Sequence, residues 1–368
     1  MKPLVAAHIA SLSPYVPGKP AAELERELGI ANAVKLASNE SALGPSPRVI
    51  EAVRAATATL HRYPDDAAYA LRTRLAELHG VQLGELALGH GSNELIDLAV
   101  RAFATPSEHA VIGAPSFACY ALSLHAANVP TSVVPLRAGL FWDLDAVQRA
   151  VRPETKLVFV DNPGNPTSTH IAARALHAFL AALPQHVIAV IDEAYGEFAT
   201  APDYASALGM RATRARLIVL RTFSKAYGLA ALRLGYAIAD PELISYLQRV
   251  RVPFNANSLA QVAALAALDD RAHLERCILL NATERSRVTR ALEELGLAVA
   301  PSQTNFLCVR VDRPAAQVYD ALLHAGVIVR PFGPPLHRHL RISVGLPAEN
   351  DRLLDALPAA LKQIPVAH

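Results

Sequence analysis

Val187-Ile-Ala-Val-Ile-Asp-Glu-Ala-Tyr195 is the stretch that decides the fold. A short apolar run ends abruptly in two carboxylates, and a strand this apolar is buried on both faces. The same pattern recurs in His109-Ala-Val-Ile-Gly113, Lys156-Leu-Val-Phe-Val160 and Leu217-Ile-Val-Leu220, each followed at once by polar, Pro-rich or Gly-rich residues. Between about residue 85 and residue 240 these runs alternate with longer amphipathic stretches, which predicts an α/β sheet covered by helices. Ligands of such sheets bind beyond the carboxyl ends of the strands, so the residues that follow the runs are the ones to read for chemistry. From about 240 onward the texture changes to helices over Leu259–Leu268 and His273–Leu295, then short strands over Phe306–Val311, Val327–Arg330 and Leu340–Val344. That order reads as α+β. The opening segment Ser13-Pro-Tyr-Val-Pro-Gly-Lys-Pro20 holds too many prolines for a regular element and reads as an arm laid across another surface.

A chain of 368 residues is long enough for about two domains, and 52% hydrophobic against 18% charged residues fits a globular protein with large cores. The net charge of +2 and the lack of a Lys/Arg block exclude the electrostatic footprint of a nucleic-acid or anionic-membrane binder. Cys119, Cys277 and Cys308 are odd in number and far apart, which suits a reducing cytoplasm and gives neither a disulfide framework nor metal-ligand spacing. The start lacks a signal-peptide pattern and no apolar run is long enough to span a bilayer, so a soluble, cytoplasmic protein is expected. Lysine is scarce, confined to Lys2, Lys19, Lys35, Lys156, Lys225 and Lys362, which narrows any search for a nucleophilic amine.

Lys225 stands in Arg221-Thr-Phe-Ser-Lys-Ala-Tyr-Gly-Leu229, directly after an apolar strand. Partial burial beside Phe223 and Ser224 would lower its pKa and let it form a Schiff base, although a lysine in a loop is also an ordinary solvated group. Asp192 sits at the mouth of the sheet, half-buried, where a carboxylate can support the protonated ring nitrogen of a pyridoxal cofactor; a helix N-cap would explain it too. Tyr195 can aim its phenol at the same cavity or belong to the core. Asp161-Asn-Pro-Gly-Asn-Pro-Thr-Ser168 gives a stiff loop that presents the Asn165 amide to a ring oxygen, or a plain tight turn. Gly89-His-Gly-Ser-Asn-Glu-Leu-Ile-Asp97 puts Ser92 and Asn93 at a helix start, a good phosphate site and equally a good cap. Arg233 adds a planar donor fork for phosphate.

Taken in order, these motifs resemble the fold-type I pyridoxal-phosphate aminotransferases and, within them, the histidinol-phosphate aminotransferase group. The resemblance runs from the Pro14-Tyr-Val-Pro-Gly-Lys-Pro20 arm through Arg62-Tyr-Pro-Asp65 and Gly91-Ser-Asn-Glu-Leu-Ile-Asp97 to Leu340-Arg-Ile-Ser-Val-Gly345. It implies an α/β fold with a mainly parallel sheet in a large domain and a smaller α+β domain. The expected division is an arm and part of the small domain over 1–44, a large pyridoxal-phosphate domain over 45–255 and a small domain over 256–368. The resemblance makes Lys225 the Schiff-base lysine and Asp192 the ring-nitrogen partner, with Asn165 and Tyr195 on the phenolic oxygen. It implies a phosphate cup of Ser92, Asn93, Thr222, Ser224 and Arg233, with Phe117 stacked on the ring. Tyr63 would reach the phosphate from the neighbouring subunit, and with Tyr15 it implies a homodimer whose sites lie at the interface. On the substrate side it implies Tyr15, Asn39, Arg330 and Arg341, the last two as anion contacts; either arginine could instead be a solvated strand-end residue.

The implied reaction is two half-transaminations, with Lys225 as the general base and acid for the proton shift. It implies histidinol phosphate and imidazole acetol phosphate as the specific pair, and glutamate and 2-oxoglutarate as the shared one. An aromatic amino-acid aminotransferase is the nearest rival, followed by a phosphothreonine decarboxylase and a cofactor-binding regulator without turnover. Three departures from the family pattern stand out: Gly164 and Ser168 where asparagine and glycine are usual, Ser41-Ala-Leu-Gly44 after Asn39-Glu40, and Phe117 where tyrosine is commoner.

Overall fold

Leu157 and Phe159 pack into one fully buried cluster and Val158 and Val160 into another. This period-two burial on both sides is what a strand at the centre of a layered α/β structure requires. The computed structural model describes residues 3–14 and 17–365. Its first strand, β1 (Val34–Lys35), belongs to a small pairing described below. The large sheet takes β2 (Leu86–Gly89), β3 (His109–Ala114), β4 (Thr131–Pro135), β5 (Thr155–Asp161), β6 (Ile188–Asp192), β7 (Leu217–Thr222) and β8 (Gly235–Ile238). Their order is β2-β8-β7-β6-β5-β3-β4, and only β8 runs antiparallel to its neighbours. The mainly parallel sheet expected from the sequence is therefore present. Helices Gly91–Phe103, Ala118–Ala126 and Pro241–Val250 cover one face, and Leu144–Ala150 and Ala173–Ala182 the other.

The remaining strands are β9 (Ala298–Val299), β10 (Phe306–Arg310), β11 (Val327–Ile328), β12 (Arg330–Pro331) and β13 (His339–Ser343). Four of them form an antiparallel sheet, β12-β13-β10-β9, while β11 pairs in parallel with β1. Helices Arg271–Glu294, Ala315–His324 and Pro347–Lys362 bury Val288, Val318 and Leu353 against this part. Asp270 caps the first of these helices by accepting from the His273 N–H at 3.2 Å. Val327–Arg330 is not one strand as the apolar run suggested: pairing passes from β1 to β13 across Val329, so the segment serves two partners. Helix Ser258–Asp269 packs Ala260, Ala263, Ala264 and Ala267 against Leu71, Leu75, Leu86 and Tyr236, beside the large sheet. No helix among the described residues is long and apolar enough to cross a membrane.

Candidate active site

The carboxyl ends of β5, β6 and β7 open into a cavity of about 710 Å³, lined by residues from both sheets and from the arm. Lys225 lies just past β7, half-buried, with its amine donating to the carbonyls of Ser38 at 3.3 Å and Asn39 at 3.2 Å. Burial, then the guanidinium of Arg341, lowers its pKa to about 7, against the pull of Glu40 and Asp192. Asp192 ends β6 and is buried, deeper than the half-buried position expected, because the neighbouring strands flank it and Tyr120 covers it. The Tyr120 hydroxyl donates to Oδ2 at 2.8 Å and the Ala194 N–H to Oδ1 at 3.0 Å. Burial pushes the Asp192 pKa up to about 6 despite these two donors.

Asn165 and Tyr195 are held by different parts of the chain. Asn165 Oδ1 accepts from the Arg341 guanidinium at 2.7 Å, which turns the amide NH2 away from that arginine. Tyr195 accepts from the Asn39 side-chain amide at 3.0 Å, and its ring stands edge-on to Phe306 at 5.1 Å between centroids. Asn39 has a left-handed φ of 54°, fixed by a reciprocal pair: its N–H donates to Ser343 Oγ, which donates back to Asn39 Oδ1. Asn305 then clamps the Asn39 and Glu40 carbonyls.

On the opposite wall the helix Gly91–Phe103 starts with Ser92 and Asn93 on the cavity. Gly91 has φ 75°, and a Cβ there would stand 2.4 Å from Arg233 Nη2, so the missing side chain is what lets the guanidinium lie over the helix start. A Cβ on Gly235 would likewise stand 2.4 Å from the Ser92 nitrogen. Ser224 Oγ accepts from Arg233 at 3.3 Å, and the Ser224 N–H donates to Thr222 Oγ1 at 3.1 Å. Hydroxyls, backbone N–H groups and a guanidinium thus surround a concavity suited to a dianionic phosphate.

Arg330 and Arg341 face each other in register on β12 and β13, and both line the cavity, as does Phe117. Arg341 sits within β13 and not at its edge; it donates to the Ala37 carbonyl and lies over the rings of Phe306 and Phe332. Tyr63 is elsewhere: it is 82% exposed, stacked on Phe254 at 4.7 Å between centroids, and does not line this cavity. Tyr15 lies outside the described residues, although Ser13, Pro14 and Gly18 around it line the cavity.

A family model, aminotransferase class I and II, matches residues 31–357. The chain belongs to this aminotransferase family. A histidinol-phosphate aminotransferase of Anaeromyxobacter sp. (strain Fw109-5) is 46% identical over 357 residues, covering 96% of this chain and 98% of the relative. The solved histidinol-phosphate aminotransferase of Sinorhizobium meliloti, in complex with pyridoxal-5'-phosphate, aligns with a TM-score of 0.90 and 31% identity over 98% of each chain. L-threonine-O-3-phosphate decarboxylase of Porphyromonas gingivalis aligns with a TM-score of 0.79 at 22% identity, covering 89% of this chain and 99% of that one, a likeness of fold alone.

Against that family background two departures acquire a structural reading. Ser168 takes a left-handed φ of 65°, a conformation for which the usual glycine carries no steric cost. A Cβ at Gly164 would stand 2.5 Å from Thr167 Oγ1, so this loop is wound too tightly for the usual asparagine. Three groups about the site went unread in the sequence. Tyr120 follows Phe117 by one helical turn, a spacing that could have announced it. Asp161 carries no signal in the sequence beyond opening a Pro-rich loop, and the structure makes it the last residue of β5. Arg221 is clamped by Glu193 at 2.9 Å and Glu197 at 3.0 Å behind Asp192, and nothing local signals that pairing.

Proposed function

We propose that the cavity takes pyridoxal 5'-phosphate and that the protein transfers an amino group between histidinol phosphate and 2-oxoglutarate, giving imidazole acetol phosphate and glutamate. The observation that carries this reading is the meeting, in one cavity, of a lysine with its pKa lowered to about 7, a buried carboxylate and a phosphate cradle in which Gly91 leaves room for the Arg233 guanidinium. Lys225 would hold the cofactor's carbonyl carbon, Asp192 the proton on its ring nitrogen, and Asn165 with Tyr195 its ring oxygen. Ser92, Asn93, Thr222, Ser224 and Arg233 would hold its phosphate, and Phe117 would cover the ring. When bound, the cofactor supplies a ring that accepts the electron pair released at the substrate's amine-bearing carbon. Lys225 takes the proton from that carbon and returns it; an amine with a pKa near 7 serves as both base and acid at neutral pH. Arg341 binds the carboxylate of glutamate or the phosphate of histidinol phosphate, with Arg330 mainly on the phosphate.

The choice of substrate rests on the near-full-length likeness to histidinol-phosphate aminotransferases and on two guanidiniums at one cavity. In a titration of the loaded enzyme, histidinol phosphate should bleach the visible absorbance at a lower concentration than phenylalanine or phosphothreonine. Arg330→Ala should then weaken histidinol phosphate about tenfold to a hundredfold, the worth of one charge-assisted hydrogen bond, and leave phenylalanine nearly unchanged. Equal losses on both amines would favour an aromatic amino-acid aminotransferase.

The working unit is proposed to be a homodimer. Leu60, Tyr63 and Tyr69 are exposed apolar residues of one segment and Val252 and Phe254 of another, and the stack of Tyr63 on Phe254 brings the two segments together into a surface costly to leave in water. Tyr63 would serve the partner's phosphate. Lys225→Ala chains re-paired with Tyr63→Ala chains should then regain about a quarter of wild-type activity, because half of the dimers are hybrid and each hybrid has one complete site. Proven hybrids without recovery would return Tyr63 to a packing role.

A further inference from the structure

Asp161 is a buried carboxylate that the proposed reaction does not use. It ends β5, in register with Asp192 at the end of β6, and residues paired across a sheet point to the same face. Its oxygens collect donors from three separate segments. Oδ2 accepts from the Asn165 N–H at 2.9 Å, Oδ1 accepts from Trp142 Nε1 at 3.2 Å, and the Phe117 N–H also donates to the carboxylate. Trp142 is seated there because Gly113 has no side chain: a Cβ would stand 2.5 Å from the indole. All three partners are N–H donors, which suits an ionised carboxylate and gives an acid proton nothing to donate to. Two carboxylates therefore lie side by side, and among the described residues neither forms an ion pair. Burial first, and then the neighbouring Asp192, raise the Asp161 pKa to about 7, and a cation bound beside the pair would favour the ionised form.

We propose that Asp161 is a positioning residue of this site: it ties Asn165, Phe117 and Trp142 to one point and adds a second negative charge beside Asp192, so that a cationic ring is held more tightly than by Asp192 alone. The inference rests on the reading of the cavity as a pyridoxal-phosphate site. The other titratable groups around it are Asp192, Tyr120, Tyr195 and Cys119, with Lys225 and Arg341 across the cavity. Asp161→Asn keeps the shape, but its NH2 faces one of the existing donors and its charge is gone.

The test compares the holoenzymes of wild type and Asp161→Asn by the pH midpoint of the cofactor's visible band, by cofactor affinity, and by the emission of Trp142, the single tryptophan of the chain. Losing a nearby negative charge disfavours the protonated form, so the midpoint should fall by about one pH unit. Cofactor affinity should fall about tenfold, which is 1.4 kcal/mol, and Trp142 emission should shift. A variant with the wild-type midpoint and affinity, even one that melts earlier, overturns the proposal and leaves Asp161 a strut of the loop. If Asp161→Asn does not fold, Trp142→Phe carries the test: with one donor fewer the carboxylate protonates more readily, and the midpoint should move in the same direction by less. An unchanged midpoint there also overturns it. Wild-type protein that develops no visible band with pyridoxal phosphate would instead sink the cofactor reading itself.

Discussion

Asp192→Asn should lower turnover by several powers of ten, on the order of 4 kcal/mol or more in the barrier at 1.36 kcal/mol per decade. The carboxylate now accepts from Tyr120 and from the Ala194 N–H. A carboxamide can keep its oxygen on the Ala194 N–H and donate its NH2 to the Tyr120 hydroxyl, which turns to accept, so the shape of the contact is largely preserved. The loss is electrostatic. A ring nitrogen keeps its proton in a buried site only beside a fixed anion, and a neutral amide supplies none. Burial lifts the Asp192 pKa to about 6, so the carboxylate is ionised at neutrality and the support weakens as pH falls towards that value. The acid limb of the wild-type rate should reflect this and be altered in the variant. The measurement is single-turnover decay of the visible band with glutamate, at matched cofactor content. Activity within about tenfold of wild type would mean that another carboxylate supports the ring, and Asp161 in the adjoining register is the group to examine next.

The division between what could be read in the chain and what could not follows the range of the interactions. Strands β3, β5, β6 and β7 were legible because burial on both faces leaves an unbroken apolar run. Strand β8 was not, since Gly235 and Ala237 dilute the apolar signal of Gly235-Tyr-Ala-Ile238, and it alone reverses direction in the sheet. Lys225, Asp192 and Asn165 were legible because each follows such a run at a strand end. Their orientation was not: Asn39 is fixed by Ser343 across 304 positions, and Asn165 by Arg341 across 176. No local pattern carries that information. Asp161 was hidden for a different reason. It reads as the polar end of a strand, and only the neighbouring Asp192, the Trp142 indole and the tight turn at Gly164 make it a site group.

Lys225→Ala should abolish steady transamination, a loss of at least four powers of ten, the upper range of what one general acid–base group contributes, because in the proposed reading the same amine would also carry the cofactor. The choice of Lys225 over other lysines is electrostatic as well as positional. Lys19 is held above its ordinary pKa by its hydrogen bond to Glu27, and Lys35 is paired with Glu40 at 2.9 Å. Burial and the guanidiniums of Arg341 and Arg233 instead bring Lys225 down to about 7, so an appreciable share of its amine is unprotonated at neutrality and nucleophilic. Borohydride reduction of the yellow wild-type protein should therefore fix the label on the peptide around Lys225. A reduced adduct on Lys156 or another lysine would overturn the assignment. In Lys225→Ala the cradle at Gly91, Ser224 and Arg233 is intact, so cofactor should still bind, reversibly and resistant to fixation. A small primary amine added to that variant should restore part of the proton transfer, since the position vacated by the side chain opens onto the cavity. Binding without fixation, together with partial rescue, separates the amine's covalent role from its proton-transfer role; loss of all cofactor binding would instead make Lys225 the main source of affinity.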